Sequence, residues 1–171
     1  MNVRERTLAD GKTIIYLARW WDPHKRKIRS KAFLRKRAAE VYAAEMKVKL
    51  ARRTYVDPDK AKMKIADWGQ EWFDSLDPDD YKPKTLEGYE SLWRSQVRRY
   101  WGEWSLGDIK PIDVQKWTIE LKRHGLSDSR VHQTRQLMGM IMNAAVENDY
   151  IAKSPVGREG RRRIRPRPRG S

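Results

Sequence analysis

Residues 13–33 read Thr13-Ile-Ile-Tyr-Leu-Ala-Arg-Trp-Trp-Asp-Pro-His-Lys-Arg-Lys-Ile-Arg-Ser-Lys-Ala-Phe33, a pattern of two strands joined by a turn. The run from Thr13 to Trp21 is rich in β-branched and aromatic side chains, which suit a pleated surface. Asp22-Pro23-His24-Lys25 interrupts it: proline presets a turn dihedral, and the short aspartate side chain bonds nearby backbone amides. From Lys27 to Phe33 the residues alternate, with Ile28, Ser30 and Ala32 on one side and Lys27, Arg29 and Lys31 on the other. In the preceding strand Ile14, Tyr16, Ala18 and Trp20 share a face, opposite Ile15, Leu17, Arg19 and Trp21. Upstream, Asp10-Gly11 marks another tight turn, because glycine supplies positive φ at no steric cost. A further strand, carrying Arg4 and Arg6, therefore precedes it. The expectation is a three-stranded antiparallel meander with one packed face and one basic face.

Three strands bury little by themselves, so a covering element is required. A helix from about Arg35 to Arg53 meets that need, with Ala38, Val41, Tyr42, Glu45, Met46, Lys49 and Leu50 at helical spacing. Residues 1–53 are thus read as one module. Thr54-Tyr-Val-Asp-Pro-Asp59 breaks the periodicity, and 54–64 is read as a linker.

From 65 to 156 the periodicity is helical throughout. Ile65, Trp68, Trp72, Phe73 and Leu76 form the stripe of a first helix, ended by Asp77-Pro-Asp-Asp80. A second runs from about Pro83 to Trp101, with Leu86, Tyr89, Trp93, Val97 and Tyr100 inward. Pro83 suits a first-turn position, where its missing N–H has no intrahelical partner. A third spans Pro111 to His124, burying Val114, Trp117 and Leu121, with Gly125 as its stop. The fourth, about Asp128 to Asp149, turns Val131, Thr134, Met138, Ile141, Met142 and Ala145 to one arc, its methionines filling the core. The fold class is therefore α+β: a small sheet with one helix, then an all-α four-helix bundle.

Charge is distributed unevenly. Residues 1–62 hold 18 Lys+Arg against 7 Asp+Glu, residues 63–156 hold 13 against 15, and residues 157–171 hold seven arginines against one glutamate. Basic ends around a near-neutral middle fit a polyanionic partner, of which nucleic acid is the commonest. With no cysteine there are no disulfides or thiolate metal sites. No apolar run approaches the roughly 20 residues of a membrane span, and the N-terminal residues lack a signal peptide's apolar segment. A cytoplasmic location is the expectation.

The order of elements resembles the DNA-binding front half of lambda-type phage integrases, the tyrosine recombinases. Residues 4–53 resemble their arm-binding domain, through Tyr16-Leu-Ala-Arg-Trp-Trp-Asp-Pro23, Lys27-Ile-Arg-Ser-Lys-Ala-Phe33, and Thr54-Tyr-Val-Asp-Pro58 after the helix. Residues 65–156 resemble their core-binding domain, through Lys84-Thr-Leu-Glu-Gly-Tyr89, Leu106-Gly-Asp-Ile-Lys-Pro111, Asp113-Val-Gln-Lys-Trp117, Met142-Asn-Ala-Ala-Val146 and Ser154-Pro155. Where the family usually has Thr or Ser before Pro111, this chain has Lys110, which cannot accept the cap hydrogen bond, a change costing about 1 kcal/mol. The resemblance implies two DNA engagements, arm sites by the sheet and core sites by the bundle. It also implies other recombinase protomers and DNA-bending accessory proteins as partners, and a catalytic domain, with its nucleophilic tyrosine, that these residues do not include.

Candidate contacts follow. On the sheet they are Arg4, Arg6, Arg19, Lys27, Arg29 and Lys31, since arginine bonds guanine through two donors. On the bundle, Lys84, Ser91, Arg94 and Arg98 lie on an outer arc of the second helix, and Ser129, His132, Gln133 and Gln136 on an outer arc of the fourth. Thr85 opens a helix whose amides suit a phosphate. Arg161, Arg162 and Arg163 belong to an Arg-Pro tail expected to be disordered alone and to track the phosphate backbone. No cofactor or metal is expected: the carboxylates of Asp77-Pro-Asp-Asp80 do not converge. His132-Gln-Thr-Arg135 spells the His-x-x-Arg of the family's catalytic box, but lies in the fourth helix with no tyrosine at a suitable distance. The rival readings are a stand-alone DNA-binding regulator, which needs only one specific site, and a nuclease, which the scattered histidines disfavour.

Overall fold

The chain is described by a computed structural model covering residues 2–157. It divides into two compact units, the first ending at Asp57 and the second beginning at Pro58.

In the first unit, β1 (Asn2–Thr7), β2 (Ile14–Asp22) and β3 (Lys27–Phe33) form an antiparallel sheet in the order β1-β2-β3. The two turns form for the reasons the residues suggest. Gly11 takes φ +68, and the Asp10 carboxylate accepts from the amides of Lys12 and Thr13 at 3.0 and 2.9 Å. At the second turn Asp22 accepts from the amides of His24 and Lys25 at 2.9 and 3.1 Å, while Arg26 supplies the positive φ.

Helix α1 (Lys36–Ala51) covers one face of the sheet. Its inward stripe is Ala39, Tyr42, Met46 and Leu50, so the expected face is rotated: Ala38, Val41, Glu45 and Lys49 are exposed. Trp20, Met46 and Tyr55 form the buried centre, with Tyr42 and Leu50 packed against it. Tyr55 and Asp57 are both buried, so residues 54–57, expected in a linker, are integral to this unit.

The second unit opens with one turn, α2 (Pro58–Ala61), followed by α3 (Ile65–Asp74). The long second helix of the bundle has three parts: α4 (Pro83–Leu92), a π-helical turn at Trp93–Val97, and α5 (Arg98–Trp101). Helices α6 (Pro111–Arg123) and α7 (Asp128–Glu147) complete it. These four helical stretches lie where periodicity placed them. Gly125 stops α6 with φ +90, and Ser127 caps α7 by accepting from the Arg130 amide at 3.2 Å. Lys110 gives no side-chain cap, but the Asp113 carboxylate accepts the Lys110 amide at 3.0 Å, the reciprocal half of a capping box.

The bundle core is dense with tryptophan. Trp68, Trp93, Trp101 and Trp117 are all buried, and Trp68 donates from its indole to the Ile141 carbonyl at 3.0 Å, tying α3 to α7. Met138 and Met142 are fully buried, so the methionine stripe is core. One expected position differs. Tyr100 is 38% exposed while Trp101 is fully buried. The π-turn explains this: the Arg98 amide reaches back five residues to Trp93, and the wider turn carries the inward face on by one position.

Candidate nucleic-acid interface

Strand register decides which side chains share a face of the sheet. Lys27 stands opposite Asp22, Arg29 opposite Trp20, Lys31 opposite Ala18 and Phe33 opposite Tyr16. Directly paired residues project to the same side, so Lys27, Arg29 and Lys31 lie on the face that α1 covers. The expected basic face combining them with Arg19 does not exist. Alternation within each strand was read correctly, but the two strands join with the opposite sides matched.

Arg29 is held in a charged network on the covered side. Its guanidinium donates to Asp57 at 2.9 Å and lies 3.5 Å from an Asp22 oxygen. Tyr55 donates its hydroxyl to Asp22 at 2.9 Å and accepts from the Trp20 indole at 3.1 Å. Burial by itself would raise the Asp22 pKa, but the amides of Lys25 and His24, the Tyr55 hydroxyl and Arg29 together hold it below the usual value of 3.8. Lys31 places its ammonium over the Tyr42 ring, 4.7 Å from the centroid. These are contacts that fasten the helix and the 55–57 segment to the sheet.

The open face carries a different set. Pairing of β1 with β2 sets Asn2 opposite Arg19, Arg4 opposite Leu17 and Arg6 opposite Ile15. Pairing of β2 with β3 adds Ser30 beside Arg19, Ala32 beside Leu17 and Ile28 beside Trp21. Three of the six expected sheet contacts, Arg4, Arg6 and Arg19, are therefore brought together here. Asn2, Trp21, Ile28 and Ser30 share the face and were not singled out. Their strand partners in the register were the missing signal.

In the second unit, Lys84, Ser91, Arg94 and Arg98 are all exposed on α4, the π-turn and α5. Thr85 is half-buried and its amide already donates to the Lys82 carbonyl at 2.8 Å, so that amide is engaged within the helix's first turn. On α7, Ser129, His132, Gln133 and Gln136 are exposed. His132 and Gln136 line a groove of about 570 Å³ with Arg135, Met140 and Asn143. His132 and Arg135 lie on one helix, and Tyr150 packs its ring 4.5 Å from Trp68, so the His-x-x-Arg stretch assembles no nucleophile beside it. Asp77 accepts from the Asp79 amide and closes a short turn. Among the described residues no cluster of His, Asp or Glu could hold a metal. Arg161, Arg162 and Arg163 lie outside the described residues.

Residues 64–122, comprising α3 through most of α6, match the family described as phage integrase, N-terminal SAM-like domain. Over these residues the chain is similar to the phage integrase N-terminal SAM-like domain. No curated protein sequence matches the chain. Among solved structures, an integrase-like domain from Bacillus cereus is similar over 58% of this chain and 83% of its own, with 14% identity and a TM-score of 0.53. A lambda integrase dimer bound to a COC' core site is similar over 89% of this chain, with 18% identity and a TM-score of 0.52. A lambda integrase tetramer bound to a Holliday junction gives 89%, 18% and 0.50. At these identities the likeness is one of fold. The chain spans 43% and 45% of the two lambda integrase chains.

Proposed function

We propose that this chain is the two-handed DNA-binding region of a phage-type tyrosine recombinase, its sheet engaging arm-type sites and its SAM-like bundle engaging core-type sites for recombination in a bacterial cell. The observation that carries the sheet half is the open face itself. Arg4, Arg6 and Arg19 stand with Asn2 and Ser30 on one side of a three-stranded sheet whose other side is closed by α1. Outer strands of such a sheet are about 10 Å apart, which suits a major groove about 12 Å wide. For the bundle, Lys84, Arg94 and Arg98 line one outward arc of a domain that is otherwise near neutral, so its charge is segregated rather than abundant. The match to a family of recombinases and the fold shared with core-site-bound lambda integrase support the same assignment. Strand cleavage is the work of a catalytic domain that these residues do not include. Other recombinase protomers and DNA-bending proteins complete the assembly in this reading.

The test is site selection from a random duplex pool with the full chain at about 150 mM salt, where weak phosphate-only binding is suppressed. Two consensus sequences are expected, one lost in Arg19→Ala and the other in Arg98→Ala. A single consensus, lost only with Arg19→Ala, would make the chain a one-site regulator. Equal loss of both sequences in both variants would end the two-site reading.

A further inference from the structure

The open face of the sheet is ordered in rows. Trp21 and Ile28 form one, Asn2, Arg19 and Ser30 the next, then Arg4, Leu17 and Ala32, then Arg6 and Ile15. None of these rows holds a carboxylate. The first row is the anomaly. Trp21 and Ile28 are 55% and 58% exposed, directly opposite one another, on the side of the sheet that ordinarily turns polar residues to water. Neither closes the core of the unit, which Trp20, Met46 and Tyr55 supply from the other side. With Asn2, Arg4 and Arg19 they line a shallow depression of about 310 Å³.

Ile15 and Leu17 on this face are half-buried, so a surface of donors with one large, exposed apolar corner is left, and it matches a particular chemistry. In the major groove guanine offers two acceptors, and thymine sets a C5-methyl group beside its single acceptor. Arginine suits the first, and an apolar side chain suits the methyl. We infer that Trp21 and Ile28 are specificity-determining residues that read a thymine methyl next to the bases met by Arg19 and Asn2. The inference rests on the sheet reading proposed above and adds a sequence requirement to it. Adjacent rows on one face are two residues, or about 7 Å, apart along the strand. Strands laid along the groove therefore set the thymine about two base pairs from the Arg19 contact, at about 3.4 Å per base step.

The experiment uses the full chain and the duplex sequence whose enrichment is lost in Arg19→Ala. Each thymine in it is replaced singly by deoxyuridine, which keeps every hydrogen-bonding edge and removes only the methyl. One replacement, about two base pairs from a guanine, is expected to weaken wild-type binding about fourfold, the value of one buried methyl group. Ile28→Ala should bind the thymine and deoxyuridine duplexes equally, and its thermal unfolding should match wild type because Ile28 is exposed. If every replacement leaves wild-type affinity unchanged, or Ile28→Ala still discriminates the two duplexes as wild type does, the thymine contact is overturned while the sheet's DNA binding stands. If no enriched sequence depends on Arg19, the sheet reading falls, and this inference with it.

Discussion

Two arginines ten residues apart have opposite tasks in the first unit. Arg19 projects from the open face, whereas Arg29 lies between two carboxylates, Asp22 and Asp57, whose side chains are 0% and 3% exposed. Removing one partner of a buried ion pair leaves an uncompensated charge, which costs about 3–5 kcal/mol in fully buried cases. Arg29 is itself 23% exposed, so about 3 kcal/mol is the expected loss for Arg29→Ala. Arg19→Ala, at a surface position, should stay within about 0.5 kcal/mol of wild type. The pH dependence separates the network from a simple packing loss. Asp22 is depressed in the fold, so its contribution is fully present above its unfolded pKa of about 3.9 and is lost as pH falls through the folded value. The gap in melting temperature between wild type and Arg29→Ala should therefore narrow on acidification through that window. A gap independent of pH would show that Arg29 stabilises by packing alone. The sequence does not distinguish these two arginines, because each stands at an alternating strand position and only the register between strands assigns its face.

Legibility at the scale of elements depends on how much of the environment lies within one element. Helix positions in the bundle were readable because each buries a tryptophan or methionine stripe at a period of 3.6 residues. Faces were less so. On α1 the apolar residues Val41 and Val48 suggest one stripe and Ala39 with Met46 another, and only packing against Trp20 selects the second. The π-turn left no trace in the periodicity before Tyr100, and the small residue that accommodates it lies elsewhere, at Gly69 on α3. A Cβ added at Gly69 would overlap the Trp93 ring at the start of that turn. Trp93 is 3% exposed and held by Phe73, so it has little room to retreat. Alanine is the better helix former by about 1 kcal/mol, yet overpacking a closed core costs about 1–3 kcal/mol. Gly69→Ala is therefore expected to lower stability by about 1 kcal/mol or more, whereas Gly88→Ala, where a Cβ would meet nothing, should raise it. Denaturant unfolding of the two variants checks the sign of each, and a stabilised Gly69→Ala would show that Trp93 repacks freely.

For the whole molecule, the important boundary is four residues later than the end of the helical pattern suggests. Thr54-Tyr-Val-Asp-Pro58 looks like a linker because it has no period, but Tyr55 and Asp57 act singly, through a hydroxyl and a carboxylate, and single contacts leave no period to read. A module of this size is near the lower limit for a self-sufficient core. Its buried centre is Trp20, Met46 and Tyr55, so a cut after Arg53 removes one of those three side chains, takes the Tyr55 hydroxyl from both the Trp20 indole and Asp22, and takes Asp57 from Arg29. A fragment ending at Asp57 retains every one of these partners. Fragment 1–57 is accordingly expected to unfold cooperatively on heating, with a sigmoidal change in tryptophan fluorescence, and fragment 1–53 to show no transition. Equal cooperativity in both would mean that Trp20 and Met46, with Ala18 and Ala39, suffice as a core, and that the network joining Tyr55, Asp22, Arg29 and Asp57 orders the segment after the helix without holding the sheet to it.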